Sequence, residues 1–190
     1  MFTLIAGLVL FLGIHSVAIV SPDLRDRLAA RLGTGPWKGL YALVATLGLV
    51  LVIRGFMPAR AVATTWYIPT APMRWAALLL MLAVFPCLWS SHLPGRIQAS
   101  LRHPMLVAAK AWALAHLLAN GSSADVLLFG AVLAWAVAER ISLKRRPARP
   151  LPMAPPGRFN DLIAVLAGLG TYALFVGGLH RVLFGVAPLG

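Results

Sequence analysis

The sequence predicts an all-α fold, a polytopic membrane bundle of about six transmembrane helices. The 190-residue chain is 60% hydrophobic, only 12% of its residues are charged, and its mean hydropathy is +0.84, whereas soluble domains carry about 25% charged residues. Its apolar runs are separated by short segments rich in Pro, Gly and basic residues. Because a helix needs roughly 20 residues to cross about 30 Å of hydrocarbon, this length allows about six spans in a single membrane domain, residues 1–190.

The first half of the chain contains three apolar runs of spanning length, and we predict helices over residues 2–20, 37–57 and 75–91. After the first run, Pro22 suits a helix start, and the following DLRDRLAARLG has the pattern of an amphipathic interfacial helix. Pro58 is expected to terminate the second span, and Pro86 is expected to kink the third.

The second half contains three further predicted spans, over residues 104–119, 124–141 and 161–180. Pro104 is favoured in a first helical turn, and Asp125 lies where a carboxylate complements the helix dipole. A basic, Pro-rich stretch over 142–159 predicts an extended linker. After this linker, Asn160 or Asp161 can cap the sixth span.

The basic residues predict topology. The formal net charge is +12, but the charges lie between apolar runs and form no contiguous basic face, which argues against nucleic-acid binding. Thirteen Lys and Arg residues fall on one side of the predicted bundle and four on the other. By the positive-inside rule, we expect a multi-pass protein in the lipid bilayer with both termini on the non-cytoplasmic side.

Two histidines lie inside predicted spans, where an ionisable side chain indicates a functional site by default. His15 is preceded by apolar residues on its own helical face. His116 has Trp112 one turn before it and Asn120 one turn after it. Neutral imidazole is a common ligand of metals and of haem iron. The alternative for each is a structural histidine with an interhelical hydrogen bond, which contributes on the order of 1 kcal/mol.

The predicted depths of the two histidines favour haem over zinc. Helical rise places His15 roughly 10 Å and His116 roughly 18 Å from the cytoplasmic ends of the first and fourth spans, an offset of about 8 Å. Imidazoles on facing helices can bridge that offset around a tilted haem, whereas zinc requires closer approach and further ligands. The sequence therefore predicts His15 and His116 as the iron ligands.

A basic trio occurs at the start of the fourth span: Arg102, His103 and Lys110. Basic side chains at a helix start can bind a carboxylate or a phosphate. A haem propionate and the carboxylate of S-adenosylmethionine are the two candidate ligands, and this trio is predicted to be cofactor-binding. The alternative is anchoring to lipid headgroups.

The motifs FLGIHS, RGFMPAR, RHPML, KAWALAHLLANG and LLFG resemble those of the NnrU family of bacterial integral membrane proteins. This family also includes the plant 15-cis-zeta-carotene isomerases, and the resemblance covers roughly residues 1–140. It implies the bacterial inner membrane and an association with nitrite and nitric oxide reduction. The plant members imply haem b held by histidines, which match His15 and His116. The sequence departs at Ala113, where plant members carry a cysteine, so no thiolate ligand is expected.

Three hypotheses of function follow. The first is a haem protein with a redox role or an isomerase role, acting with a redox partner or on an apolar polyene in the bilayer. The second is a non-catalytic accessory or assembly protein of denitrification whose histidines are structural. The third is a methyltransferase using S-adenosylmethionine, because RHP is similar to a segment of isoprenylcysteine carboxyl methyltransferases; the paired glutamates of those enzymes are absent, leaving Glu139 and Asp161.

Overall fold

The computed structural model describes residues 1–146 and 153–188, and these residues are overwhelmingly helical. Residues 147–152 of the predicted linker lie outside the described residues. The helices are α1 (Phe2–Val20), α2 (Pro22–Leu32), α3 (Thr34–Ala61), α4 (Ala71–Ser90), α5 (Arg96–Leu101), α6 (Pro104–Ala119), α7 (Ser123–Ser142), α8 (Asn160–Leu174) and α9 (His180–Phe184). The all-α prediction is confirmed.

Four helical segments of the described chain are long and apolar enough to cross a membrane: α1, α3, α4 and the stretch Asn160–Phe184. The other two predicted spans correspond to α6, a 16-residue apolar helix, and to α7, a 20-residue helix with charged residues near both ends. About six spans is therefore an approximate count. The interfacial helix predicted after the first span is α2.

Some predicted boundaries were wrong. Pro58 does not terminate the second span but lies inside α3, which continues to Ala61. A proline removes a single N–H from the helical ladder, so the last turn can still form beyond it. The third span begins at Ala71, because Pro72 fits the first turn of a helix. The short helix α5 was not predicted.

The chain divides into two compact units. Unit 1 comprises Met1–Ile68 and Asn120–Ala148, and unit 2 comprises Pro69–Ala119 and Arg149–Gly190. Unit 1 therefore contains α1, α2, α3 and α7, whereas unit 2 contains α4, α5, α6, α8 and α9.

In unit 1, α1 packs closely against α3. A Cβ on Gly7 would lie 2.5 Å from the Val52 backbone nitrogen, and a Cβ on Gly48 would lie 2.5 Å from the Phe11 backbone nitrogen. Small residues allow membrane helices to approach backbone to backbone, which maximises van der Waals contact where no hydrophobic effect drives association. This contact sets the register of α1, and with it the depth of His15 one turn after Phe11.

In unit 2, α4 packs against α6 and α8. Val84, Cys87 and Ala108 form the buried core between α4 and α6. On the side of α8, a Cβ on Gly168 would lie 2.4 Å from the Pro86 nitrogen, so glycine is required where the two helices meet. Pro86 lies within α4 without ending the helix.

The predicted cap of the sixth span was wrong. Helix α8 begins after Phe159 with no side-chain cap. The Asp161 carboxylate instead accepts hydrogen bonds from the backbone N–H groups of Arg96 (2.8 Å) and Ile97 (3.0 Å), and it thereby caps α5 from another helix. Asn160 donates to the Pro94 carbonyl at 2.8 Å. Asn160 and Asp161, which the sequence pattern predicted as caps of the sixth span, therefore make tertiary hydrogen bonds instead.

Candidate functional site

Two histidine rings lie side by side in unit 2. The ring centroids of His116 on α6 and His180 at the start of α9 are 6.4 Å apart, and their planes differ by 28°. Both rings are half-buried. Paired imidazoles at the end of a membrane-spanning segment form a candidate ligand set, since histidine in such a segment is costly.

A kinked turn, Phe175–Leu179, positions His180. Within that turn Gly178 has a φ of 151° and a ψ of −22°, a backbone conformation that residues with a Cβ rarely adopt. The sequence predicted that the sixth span ends at His180, but the helical path continues to Phe184. The kink therefore determines where the His180 side chain lies.

Backbone carbonyls orient both rings. The Nδ1 atom of His116 lies 2.8 Å from the Trp112 carbonyl oxygen, and Nδ1 of His180 lies 2.6 Å from the Val186 carbonyl oxygen. A carbonyl oxygen only accepts, so in each hydrogen bond Nδ1 donates. A neutral ring protonated on Nδ1 carries its lone pair on Nε2, and such carbonyl partners are typical of metal-ligating histidines.

Aromatic side chains flank the pair. The Trp112 ring lies 4.8 Å from His116 and the Phe184 ring lies 5.0 Å from His180, as measured between centroids. These rings supply apolar surface beside the two imidazoles, which suits a flat, apolar ligand.

His15 lies in unit 1, in a cage of aromatic rings. Its centroid is 4.5 Å from that of Phe11, 5.2 Å from that of Tyr41 and 5.7 Å from that of Trp135. Its Nδ1 atom donates to the Phe11 carbonyl oxygen at 2.6 Å. His15 and His116 thus belong to different units, and their joint role as iron ligands stays a prediction.

An ion pair closes the end of α7 in the same unit. Nη2 of Arg146 contacts Oε1 of Glu139, and the two side chains are only 10% and 14% exposed. Three buried polar atoms around this pair have no hydrogen-bond partner among the described residues: Glu139 Oε2, Arg146 Nη1 and Trp135 Nε1.

The predicted basic trio lies around the start of α6. Arg102 is exposed, with a φ of 59°, at the end of α5. The His103 carbonyl accepts from the backbone N–H of Leu106 and so begins α6, while Lys110 is half-buried two turns further on. The carboxylates considered for a methyl donor are both engaged elsewhere, Glu139 with Arg146 and Asp161 with α5.

A separate polar cluster in unit 1 holds the start of α7 against the loop after α3. Asp125 is 1% exposed and forms a capping box with Ser122, and its Oδ1 lies 3.5 Å from Nε of Arg60. This distance makes an ion pair but leaves Oδ1 without a well-aligned hydrogen bond. Arg60 also donates to the Asn120 side chain at 3.0 Å. Arg60, from the motif RGFMPAR, and Asn120, from the motif KAWALAHLLANG, therefore have a structural role.

Tyr67 extends this cluster outside the spanning helices. Its hydroxyl donates to the Asn120 carbonyl oxygen at 2.7 Å. Burial raises the pKa of Tyr67, and the Asp125 carboxylate raises it further, so the phenol stays protonated as the donor.

The all-helical fold and its long apolar helices define a polytopic helical membrane protein. The chain matches the sequence model of the NnrU family, described as NnrU protein, over residues 3–188, so it belongs to that family. The match is wider than the resemblance over residues 1–140 and includes the sixth span. Searches among curated proteins and among solved structures give no significant match.

Two residues of these clusters, His180 and Arg146, were not predicted as site residues from the sequence. His180 was taken only as the end of a span, although it follows two glycines in an apolar run, a signal for an irregular turn beside an ionisable group. Arg146 was counted only as a topology signal. Its pairing with Glu139, seven residues earlier, depends on how the chain turns after α7.

Proposed function

We propose that this NnrU-family membrane protein binds haem b and that His116 is one of the axial ligands. The observation that carries the proposal is the pairing of His116 with His180. Both side chains come from unit 2, and both are oriented by backbone carbonyls. Haem needs only two protein ligands, which this pair would supply.

The two rings lie 6.4 Å apart in a stacked arrangement, with planes that differ by 28°. Holding one haem would require each ring to turn until its Nε2 atom points at the iron. Trp112 and Phe184 would then pack beside the porphyrin, and Arg102, His103 and Lys110 stay the proposed partners of the propionates.

The sequence and the structure of unit 2 favour different residues as the second haem ligand. The sequence predicts His15, and the packing within unit 2 supports His180. His15 is already enclosed by three aromatic rings and donates to Phe11, contacts that also suit a structural histidine. We therefore assign the second position to His180 and keep His15 as the alternative that the experiment distinguishes.

Two axial imidazoles favour electron transfer as the role of the site. When bound, haem would supply one-electron chemistry or Lewis acidity at its iron. Two histidine ligands leave no open position for a substrate, so an isomerase acting on an apolar polyene would need one imidazole to move away. His180 is the better candidate for such movement, since it follows an irregular turn.

The enclosure of His15 also favours a second candidate function, a non-catalytic accessory or assembly protein of denitrification with structural histidines. This candidate predicts a colourless protein whose histidine variants differ only in stability. The proposed link to nitrite and nitric oxide reduction, and the placement in the bacterial inner membrane, rest on the family alone.

Purification of the full chain in mild detergent, with haem supplied during expression, tests the proposal. We expect a Soret band and close to one haem per chain, lost or strongly reduced in His116→Ala and His180→Ala and kept in His15→Ala. His92→Ala, which alters an exposed histidine of unit 2, is the matched control. Loss of haem in His15→Ala, with haem retained in His180→Ala, would show that His15 and not His180 is the second ligand. A colourless wild-type protein would refute haem binding.

A further inference from the structure

Three buried polar atoms near the end of α7 in unit 1 have no hydrogen-bond partner among the described residues. More than nine in ten buried polar groups in proteins are hydrogen-bonded, because an unsatisfied one costs about 1–3 kcal/mol. Trp135 Nε1, Arg146 Nη1 and Glu139 Oε2 are all buried without such a bond among the described residues. Three such atoms in one cluster indicate that a ligand supplies the missing hydrogen bonds.

The three atoms belong to one place in the unit. Trp135 and Glu139 are four residues apart on α7 and so lie on the same helical face, and Arg146 contacts Glu139 directly. The Trp135 ring meets the His15 ring edge-on, with planes 86° apart, and Tyr41 contacts His15 from α3. The ligand position is therefore lined by aromatic rings as well as by polar atoms.

The charges at this position favour a neutral ligand. Arg146 and Glu139 already neutralise each other, so a bound anion or cation would bring an uncompensated charge into a buried site. The unsatisfied set contains two donors, Trp135 Nε1 and Arg146 Nη1, and one acceptor, Glu139 Oε2. A hydroxyl group matches this set, because it accepts from the donors and donates to the carboxylate.

We propose that the Trp135, Glu139 and Arg146 side chains bind the head group of a membrane-dissolved hydroquinone. The phenolic ring of a hydroquinone is flat and fits among aromatic side chains. Its hydroxyl forms the hydrogen bonds that the three atoms lack, while the apolar tail of the molecule stays in the bilayer. The oxidised quinone offers only acceptors, so it leaves Glu139 Oε2 without a donor. The site therefore prefers the reduced form. This inference does not depend on the haem proposal.

Equilibrium binding under anaerobic conditions tests the proposal, with decyl-ubiquinol and decyl-ubiquinone as probes and the full chain in detergent. We expect one saturable site per chain and about tenfold tighter binding of the quinol, the effect of one hydrogen bond of about 1.4 kcal/mol. Glu139→Gln should remove most of this preference, since an amide also donates. Trp135→Phe should weaken both probes about tenfold.

Trp75→Phe is the matched control, because Trp75 is 65% exposed in unit 2. It should bind both probes like the wild type. Trp135→Phe removes a buried donor without a partner, so its ligand-free melting temperature should equal or exceed that of the wild type, which separates lost binding from lost folding. Absence of saturable binding, unchanged binding in Trp135→Phe, or equal affinity for the quinol and the quinone would each overturn the proposal.

Discussion

His116 and His180 are 64 positions apart in the sequence, yet their ring centroids lie 6.4 Å apart. Each ring is held through Nδ1 by a backbone carbonyl near it in the sequence. The pair therefore depends on two local arrangements, the regular turn of α6 and the irregular turn before α9. This dependence makes the site sensitive to the backbone around Gly178.

Substitution of Gly178 should displace His180. In Gly178→Ala a Cβ would be placed on a residue with a φ of 151°, at a strain of about 1–3 kcal/mol. The turn is expected to relax and move His180, and haem affinity should fall about tenfold. Gly177→Ala is the control, because Gly177 has open space around it and no positive φ. Haem titration of both variants measures the difference, and equal affinities would show that the turn does not position the ligand.

The Arg60–Asp125 cluster is expected to stabilise unit 1. Asp125→Ala removes both the cap of α7 and the ion-pair partner of Arg60, whose side chain is 33% exposed, so we expect a loss of about 1–3 kcal/mol. Asp23→Ala, at an exposed position in the first turn of α2, should cost only about 0.3–1 kcal/mol. Unfolding in detergent, followed by circular dichroism, compares them. A loss in Asp125→Ala no larger than in Asp23→Ala would contradict the structural role.

Sequence pattern was sufficient for the helices of this chain because long apolar runs and prolines act locally. The starts of α6 at Pro104 and of α7 near Asp125 are set by residues inside the first turn. Pro58 was misjudged because one missing N–H near a helix end costs less than one in the middle. Asp161 was misjudged because a partner distant in sequence, the start of α5, competes for its carboxylate.

Close packing of α1 against α3 gives a third prediction. Gly48→Ala would place a Cβ 2.5 Å from the backbone nitrogen of Phe11, and neither backbone can give way without moving a helix. We expect a loss of about 1–3 kcal/mol from overpacking. Gly39→Ala, in the same helix with nothing within 4 Å, should be neutral or slightly stabilising. Thermal melting of the two variants checks this expectation, and similar melting temperatures would argue against the α1–α3 contact.

The cap supplied by Asp161 gives a fourth prediction. Asp161→Ala leaves the N–H groups of Arg96 and Ile97 without their acceptor, so unit 2 should lose about 0.5–2 kcal/mol. Asp161→Asn keeps one acceptor oxygen and should lose less. Hydrogen exchange at the α5 amides, together with thermal melting, measures both effects. Equal protection of these amides in wild type and Asp161→Ala would rule out the cap.

The candidate sites were harder to predict from the sequence than the helices. His15 and His116 were recognised because a lone histidine in an apolar run needs an explanation. The partners of each could not be read from the pattern, since helical periodicity fixes which face a residue occupies but not which helix covers it. His180 and Arg146 depend on turns after a helix, where a change of one residue redirects a side chain.

The visible spectrum of His180→Ala, with and without added imidazole, tests the central claim most directly. The wild-type protein is expected to show a six-coordinate, low-spin haem spectrum. His180→Ala should lose it, and free imidazole should restore it by occupying the vacated axial position, while His116 holds the other. A low-spin spectrum that is unchanged in His180→Ala would contradict the assignment of His116 and His180 as the axial pair.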